Sequence, residues 1–138
     1  MGIGATFGND LLKLILQAVA VANIADNAAG SPLTTLGLAL HTADPSTTGA
    51  NETTYGGYGR VSIARTSGGW TVSGLQATPG ANIDFPVCTS GSATITHWSL
   101  WTLTAAGKFL VGGTVSPNIS VATGVTPRLT TATTLTVS

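Results

Sequence analysis

The chain of 138 residues has very little charge: five basic and five acidic side chains, which cancel to a formal net charge of zero. They form 7% of the chain, whereas ordinary soluble domains carry about a quarter charged residues. A free monomer with so little charge has little electrostatic repulsion to oppose association. The composition therefore favours a subunit of a larger assembly, and it offers no basic surface for binding nucleic acid.

Cysteine is nearly absent, and no apolar run is long. The single thiol, Cys88, excludes an internal disulfide and a cysteine-based zinc cluster, and no cofactor is expected. The run from Leu11 to Ile24 is too short to span a bilayer, so no membrane partner is expected. A signal peptide is not indicated, because Asp10 precedes the run and a basic region is missing.

The apolar run is predicted to be a helix from Leu11 to about Ala25, since it lacks glycine and proline and is rich in leucine and alanine. Asn9 or Asp10 can cap its first turn, after a flexible, glycine-spaced lead over residues 1–8. Residues 1–30 thus form a separate N-terminal region in this prediction.

The predicted helix is apolar around most of its circumference, and Leu12, Leu16 and Val19 belong to its apolar stripes. Such a helix must be buried on more than one side. Two interpretations remain open. In one, the helix is a docking or oligomerisation arm, and these three residues are candidate interface residues. In the other, the helix packs entirely within its own domain.

From residue 31 to residue 138 the chain is predicted to form a β-sandwich domain, because short runs of valine, isoleucine, leucine, threonine and tryptophan alternate with turn residues. The predicted fold class is mainly β, an antiparallel two-sheet sandwich of about seven to eight strands, jelly-roll-like, with one N-terminal α-helix. The strands are predicted near 35–42, 59–65, 69–75, 82–86, 93–103, 108–115, 118–121 and 133–138.

Candidate catalytic and metal sites are weak. His41 and Asp44 resemble half of a catalytic dyad, but no nucleophile motif accompanies them, so Asp44 is predicted to form a turn before Pro45. A pairing of His97 with His41 at a metal would supply two ligands, and two ligands do not make a site. No catalytic, cofactor-binding or metal residues are therefore predicted, and the chain is not expected to be an enzyme.

The three tryptophans allow two interpretations. Trp70, Trp98 and Trp101, with the two tyrosines, form a sugar-stacking platform in one of them. Core packing is the simpler explanation of the indole rings, and the sequence favours it.

The most specific local pattern is Tyr55-Gly-Gly-Tyr-Gly-Arg60, at the end of a long loop over residues 43–57. Tyr55, Tyr58 and Arg60 are candidate interface residues. The loop is expected to be ordered by contact, either folded back through Arg60 or Arg65 or held by a neighbouring subunit. Both arginines are expected to pair with carboxylates, of which Glu52, Asp44 and Asp84 are available.

About residues 36–115 resemble a group of small tailed-bacteriophage virion proteins, which are variously head decoration, minor structural or tail fibre proteins. The similarity is carried by a series of short segments in the same order. These are Gly37-Leu-Ala-Leu-His-Thr-Ala-Asp-Pro45, Asn51-Glu52, Tyr58-Gly-Arg60-Val61, Gly69-Trp70-Thr-Val72, Ile83-Asp-Phe85-Pro86, Ala93-Thr-Ile-Thr-His97-Trp98 and Gly107-Lys-Phe-Leu110.

The resemblance implies a non-enzymatic virion protein, made in the host cytoplasm. The leading interpretation is a capsid decoration or cement protein that stabilises the shell by subunit association. The alternatives are a tail fibre or tail adaptor protein and, in a different class, a glycan-binding receptor domain. The expected partners are further copies of the chain, as a homotrimer or another homo-oligomer, and other virion proteins such as the major capsid protein.

Overall fold

The computed structural model describes residues 5–20 and 32–138. Within these ranges the fold is mainly β, with antiparallel sheets and one N-terminal helix, which confirms the predicted fold class. The elements are α1 (Ala5–Gln17), β1 (Thr35–His41), β2 (Val61–Ala64), β3 (Trp70–Ser73), β4 (Gln76–Pro79), β5 (Ile83–Asp84), β6 (Ser92–Trp101), β7 (Phe109–Ala122), β8 (Arg128–Leu129) and β9 (Leu135–Thr136).

The chain divides into two compact units. Unit 1 comprises Met1–Thr34, Ala64–Ala81 and Thr131–Ser138, and unit 2 comprises Thr35–Ile63 and Asn82–Thr130. Helix α1 and the sheet of order β3-β4-β9 lie in unit 1. The predicted division into an arm of residues 1–30 and a sandwich of residues 31–138 stays a prediction.

Helix α1 packs on β3 and β4 through one apolar face. Leu12 and Leu16, one turn apart, are 1% and 0% exposed. Two side-chain amides on the helix bond the backbone of the β3 hairpin: Gln17 Nε2 donates to the Trp70 carbonyl at 3.1 Å, and Asn9 Nδ2 donates to that of Gly74 at 2.9 Å. Apolar burial and these bonds together fix the helix within unit 1.

The bounds predicted for the helix were wrong. It begins by Ala5, inside the region expected to be a flexible lead, and the predicted capping residues Asn9 and Asp10 lie in its interior. It ends at Gln17, because Ala18 has a left-handed backbone with φ of 57°. Residues 21–25 of the prediction lie outside the described residues. With 13 residues, α1 is too short to cross a membrane, and the described residues contain no longer apolar helix.

Unit 2 contains a four-stranded sheet of order β2-β1-β6-β7 and a two-stranded sheet of β5 and β8. The inner strand β1 is buried at every position from Leu36 to His41, so both its faces are covered. It pairs antiparallel with β6, which places His41 directly opposite His97. A central, doubly covered strand is a rigid base for the loop that follows it.

Three strand predictions need correction. Strand β7 runs without a break from Phe109 to Ala122, where two strands were predicted. The predicted gap falls at residues 116–117, where an irregularity in the ladder between Ile95 and His97 of β6 lets the strand continue. Strands β4 and β8 were not predicted: β4 is Gln-Ala-Thr-Pro, with one β-branched residue and a terminal proline, and β8 is only Arg-Leu.

Candidate functional site

The long loop after β1 folds back on the strand that it leaves. The amide of Thr42 donates to the Asn51 carbonyl at 3.1 Å, and the amide of Thr53 donates to the Leu40 carbonyl at 2.9 Å. At the tip, Asp44 Oδ1 accepts from the Ser46 amide at 2.8 Å, which confirms the predicted aspartate turn. The loop is thus ordered by its own chain, one of the two arrangements expected from the sequence.

The end of the loop is closed by a cluster of polar side chains that we call the loop clamp: Glu52, Tyr58 and Arg60. The Arg60 guanidinium grips the carboxylate of Glu52 with two bonds, Nε to Oε1 at 2.9 Å and Nη2 to Oε2 at 2.8 Å. The Tyr58 hydroxyl donates to Glu52 Oε1 at 2.7 Å and accepts from the Leu40 amide at 3.1 Å. The loop clamp therefore ties the loop to β1.

Burial and charge act against each other on the Glu52 carboxyl group. Burial alone would raise its pKa, but hydrogen bonds from Arg60 and Tyr58, with the positive charge of Arg60, hold the pKa below its ordinary value. Burial raises the pKa of Tyr58 far above its ordinary value, and the bond to Glu52 adds to the effect. The clamp thus consists of an ionised carboxylate, a neutral phenol and a guanidinium at neutral pH.

Trp101, at the end of β6, supports the clamp from the sheet. The Arg60 guanidinium carbon lies 3.7 Å from the centroid of the indole ring, a close cation–π contact. Arg60 Nη1 also donates to the Ala106 carbonyl at 2.7 Å. The loop backbone at Gly49 approaches the same ring so closely that a Cβ atom there would overlap it. Gly49 also has a positive φ of 79°, so glycine is required twice over.

A second chain of hydrogen bonds runs beneath the loop, from Trp101 through Ser99 and His41 to Ala50. Trp101 Nε1 donates to Ser99 Oγ at 2.7 Å, and Ser99 Oγ lies 2.6 Å from His41 Nε2. His41 Nδ1 lies 2.7 Å from the Ala50 carbonyl, which can only accept. Nδ1 therefore carries the proton of the neutral imidazole, and Ser99 donates to Nε2. Burial lowers the pKa of His41 and favours this neutral form.

The contact between Ser99 and His41 has the donor and acceptor order of a nucleophile and its general base. Both residues are 0% exposed, and an indole and a loop carbonyl occupy the remaining partners. A substrate cannot reach the Ser99 hydroxyl in this arrangement. The pair instead joins the sheet to the loop, through the hydrogen bond from His41 to the Ala50 carbonyl.

The candidate interface residues lie in both units. In unit 2, Tyr55 and Tyr58 meet edge to face with ring centroids 5.3 Å apart, and Tyr58 contacts Arg60 through Glu52. The Tyr55 hydroxyl donates to the Pro86 carbonyl at 2.8 Å. These rings serve the internal packing of unit 2, and any role at an interface stays a prediction.

The helix candidates differ in exposure. Leu12 and Leu16 are buried inside unit 1, where no partner can reach them without displacing β3 or β4. Val19, just beyond the helix, is 47% exposed, and Ile15 is 36% exposed. Of the three helix candidates, only Val19 exposes apolar surface. The interface prediction for this region therefore depends on Val19.

The tryptophans form no platform. Trp70, Trp98 and Trp101 are 2%, 1% and 8% exposed, which confirms the core interpretation. In the described ranges no group of three or more histidine, cysteine, aspartate or glutamate side chains is placed to hold a metal ion.

The sequence interpretation missed Ser99. It also missed that Trp101 both contacts the Arg60 guanidinium and donates a hydrogen bond to Ser99. The signal was present: Ser99 is a polar residue in the buried run Trp98–Trp101 of a strand, and a buried hydroxyl requires a partner. What the pattern could not supply was the identity of that partner, because His41 lies 58 positions away along the chain.

The sequence model of the family described as Podophage GP4 fiber I protein gp80 matches residues 5–138, and the chain belongs to this family. A search of curated proteins finds no match. The family confirms the broader resemblance to phage virion structural proteins and identifies a virion component. It is a fibre family, which fits the tail fibre alternative better than the capsid decoration interpretation.

Proposed function

We propose that the chain is a non-enzymatic building block of a phage fibre, which acts by association with further copies of itself and with other virion proteins. The observation that carries the proposal is the family match over residues 5–138, which extends across both compact units. The near absence of charge supports it, because neutral subunits pack together without electrostatic repulsion.

The geometry of unit 2 supports a structural role. Three polar side chains of unit 2 could take part in a reaction, and all three hold the loop to the sheet. These are Glu52, His41 and Ser99. A fibre subunit needs a surface that keeps its shape under load, and the loop clamp fixes a long loop that would otherwise lose entropy on assembly.

The proposal is tested on purified phage particles. Gold-labelled antibodies raised against the chain are expected to decorate fibres, and quantitative mass spectrometry is expected to give a copy number far below that of the major capsid protein. Labelling spread over the whole shell, at a copy number comparable to the capsid subunit, would instead support the decoration interpretation.

The non-enzymatic part has its own test. Replacing Ser99 by Ala removes the hydroxyl that bonds His41 Nε2 from the neighbouring strand of unit 2. Particles with this substitution should assemble with unchanged fibres or fail through instability of the subunit. A variant with normal fibres that no longer degrades a host surface polymer would overturn the proposal.

A further inference from the structure

The middle of the long loop, residues 44–50, is bonded to itself, and we call it the loop cap. The amides of Gly49 and Ala50 both donate to the Pro45 carbonyl, at 2.9 and 3.0 Å. The loop clamp acts outside the cap, on Glu52. The cap therefore keeps its own bonds when it moves relative to the sheet, and the clamp does not hold it in place directly.

Two contacts between the cap and the sheet are apolar. The Pro45 ring is fully buried, and it lies so close to Gly112 of β7 that a Cβ atom there would overlap it. Gly49 lies against the indole ring of Trp101 in the same way. No group in these two contacts gains or loses a proton, so neither contact depends on pH.

The third contact is polar, and it depends on the protonation state of His41. The neutral ring satisfies both nitrogens, since Nδ1 donates to the Ala50 carbonyl and Nε2 accepts from the Ser99 hydroxyl. A proton on Nε2 reverses the second bond. His41 and Trp101 then both donate to Ser99 Oγ, and the proton of Ser99 loses its acceptor. Protonation thus places a positive charge on a ring that is 0% exposed and breaks the order of donors around it.

The groups around His41 do not compensate for this charge. Of the charged and titratable groups that act on the ring, Glu52 alone favours the protonated form, and its carboxylate is already paired with Arg60. Arg60 and His97, which lies directly opposite His41 in the ladder, both oppose it. Asp44 lines a cavity beside His97, and its carboxylate is engaged in the aspartate turn. Water is therefore the remaining means of stabilising a protonated His41.

We propose that His41 is an acid-sensitive switch: a proton on its Nε2 releases the loop cap from the sheet, while the strands of unit 2 stay paired. The ring is held between the cap, through Ala50, and the sheet, through Ser99. Moving the cap admits water to the ring without breaking a strand pair, so it is the less costly route. Histidine is the side chain whose charge changes under mildly acidic conditions, which suits it to such a switch.

The test follows exchange of two indole N–H groups of the full chain by NMR as the pH is lowered. Trp101 Nε1 bonds Ser99 beneath the cap, whereas the indole of Trp98, in the same strand, lies against Gly113 of β7. Below pH 6.5, protection of the Trp101 N–H, corrected for the intrinsic exchange rate, should fall by up to about tenfold per pH unit, because opening takes up one proton. Protection of the Trp98 N–H should not change.

Two substitutions assign the effect to one histidine. His41→Gln should abolish the pH dependence at Trp101, and His97→Gln, at the directly opposite position, should retain it. The inference is overturned if Trp101 protection does not vary with pH, if Trp98 loses protection in parallel, or if His41→Gln retains the dependence. The comparison of Trp101 with Trp98 in the wild type decides whether release is local, so it does not rely on the folding of any variant.

Discussion

One arginine in each compact unit, Arg60 in unit 2 and Arg65 in unit 1, joins separate segments of that unit, and the two bind different kinds of partner. In unit 2, Arg60 pairs with the Glu52 carboxylate through a side chain that is 11% exposed. In unit 1, Arg65 bonds three backbone carbonyls, those of Leu14 at 2.6 Å, Ile15 at 2.5 Å and Leu33 at 2.9 Å. One charge is neutralised by an ion, and the other by oriented dipoles.

The difference follows from what each unit must hold. Helix α1 has no basic residue in its last turn. Its final carbonyls therefore carry the uncompensated negative end of the helix dipole, which Arg65 reaches from outside the helix. The loop in unit 2 has no such dipole and needs a carboxylate of its own, which Glu52 supplies. In a nearly chargeless chain, Glu52, Arg60 and Arg65 thus use their charges for internal contacts.

The largest effect is expected from Arg60→Ala. It removes the bidentate ion pair, the cation–π contact with Trp101 and a bond to the Ala106 carbonyl, and it leaves Glu52 partly buried without a counter-ion. We expect the free energy of unfolding to fall by about 3 kcal/mol, the lower end of the range for broken buried pairs, because the Glu52 side chain is 24% exposed. Urea denaturation measures the change, and hydrogen exchange should rise in residues 42–53.

Arg60→Lys is the matched control. Lysine keeps the positive charge but cannot form the bidentate pair with the carboxylate. The stability of this variant should therefore lie between that of the wild type and that of Arg60→Ala. Equal stability of all three proteins would mean that the loop does not depend on the clamp.

The partners of the two arginines show how far the sequence could be read. A pairing of Arg60 with one of three carboxylates was predicted, and Glu52 is the partner. The same prediction was wrong for Arg65, because a carbonyl at a helix end leaves no mark in the sequence. Asp84, the third carboxylate, pairs with Arg128 across β5 and β8, a strand pair that was not predicted.

Fold class was predictable for a different reason. Alternating apolar residues and turn residues report burial on one face, which is a local property, and seven of the nine strands have counterparts among the predicted segments. The helix bounds were wrong because Ala18 ends the helix through its backbone conformation, and alanine favours helix everywhere else. The network around Trp101 depends on residues distant in sequence, so no local pattern could reveal it.

The second effect is a dependence of unit 2 on pH. Because burial lowers the pKa of His41, the unfolded chain binds a proton near the ordinary value of 6.5 while the folded chain resists it. Stability from His41 is thus present above pH 6.5 and falls as the pH drops towards the folded pKa. Glu52, whose folded pKa is also lowered, adds a further loss below its ordinary value of 4.5. Glu52, Arg60 and His97 are the charged or titratable groups that act on His41.

This pH dependence is checked by urea denaturation across the acid range. In His41→Gln the slope of stability against pH should flatten below 6.5, although the overall stability is lower. An unchanged slope would assign the acid sensitivity to other groups.

A smaller loss is expected from Arg65→Ala, which acts on unit 1. The guanidinium bonds three carbonyls and no carboxylate. Its removal therefore leaves no unpaired charge, and water can partly satisfy the three carbonyls. We expect a loss of about 2 kcal/mol together with faster exchange in the last turn of α1. If exchange instead rises first in residues 42–53, the two arginines do not serve separate units.

The smallest effect is expected at Gly74, in the turn that joins β3 to β4 of unit 1. Its φ is +59°, a left-handed conformation that alanine adopts with strain, but a Cβ atom there would meet nothing within 4 Å. Gly74→Ala should therefore reduce stability by about 1 kcal/mol through backbone strain alone. Gly59→Ala in unit 2 is the control, because Gly59 has equal open space and no positive φ. That change should be neutral or slightly stabilising, since alanine restricts the unfolded chain. Equal losses at both positions in thermal denaturation would show that something other than the left-handed turn makes Gly74 necessary.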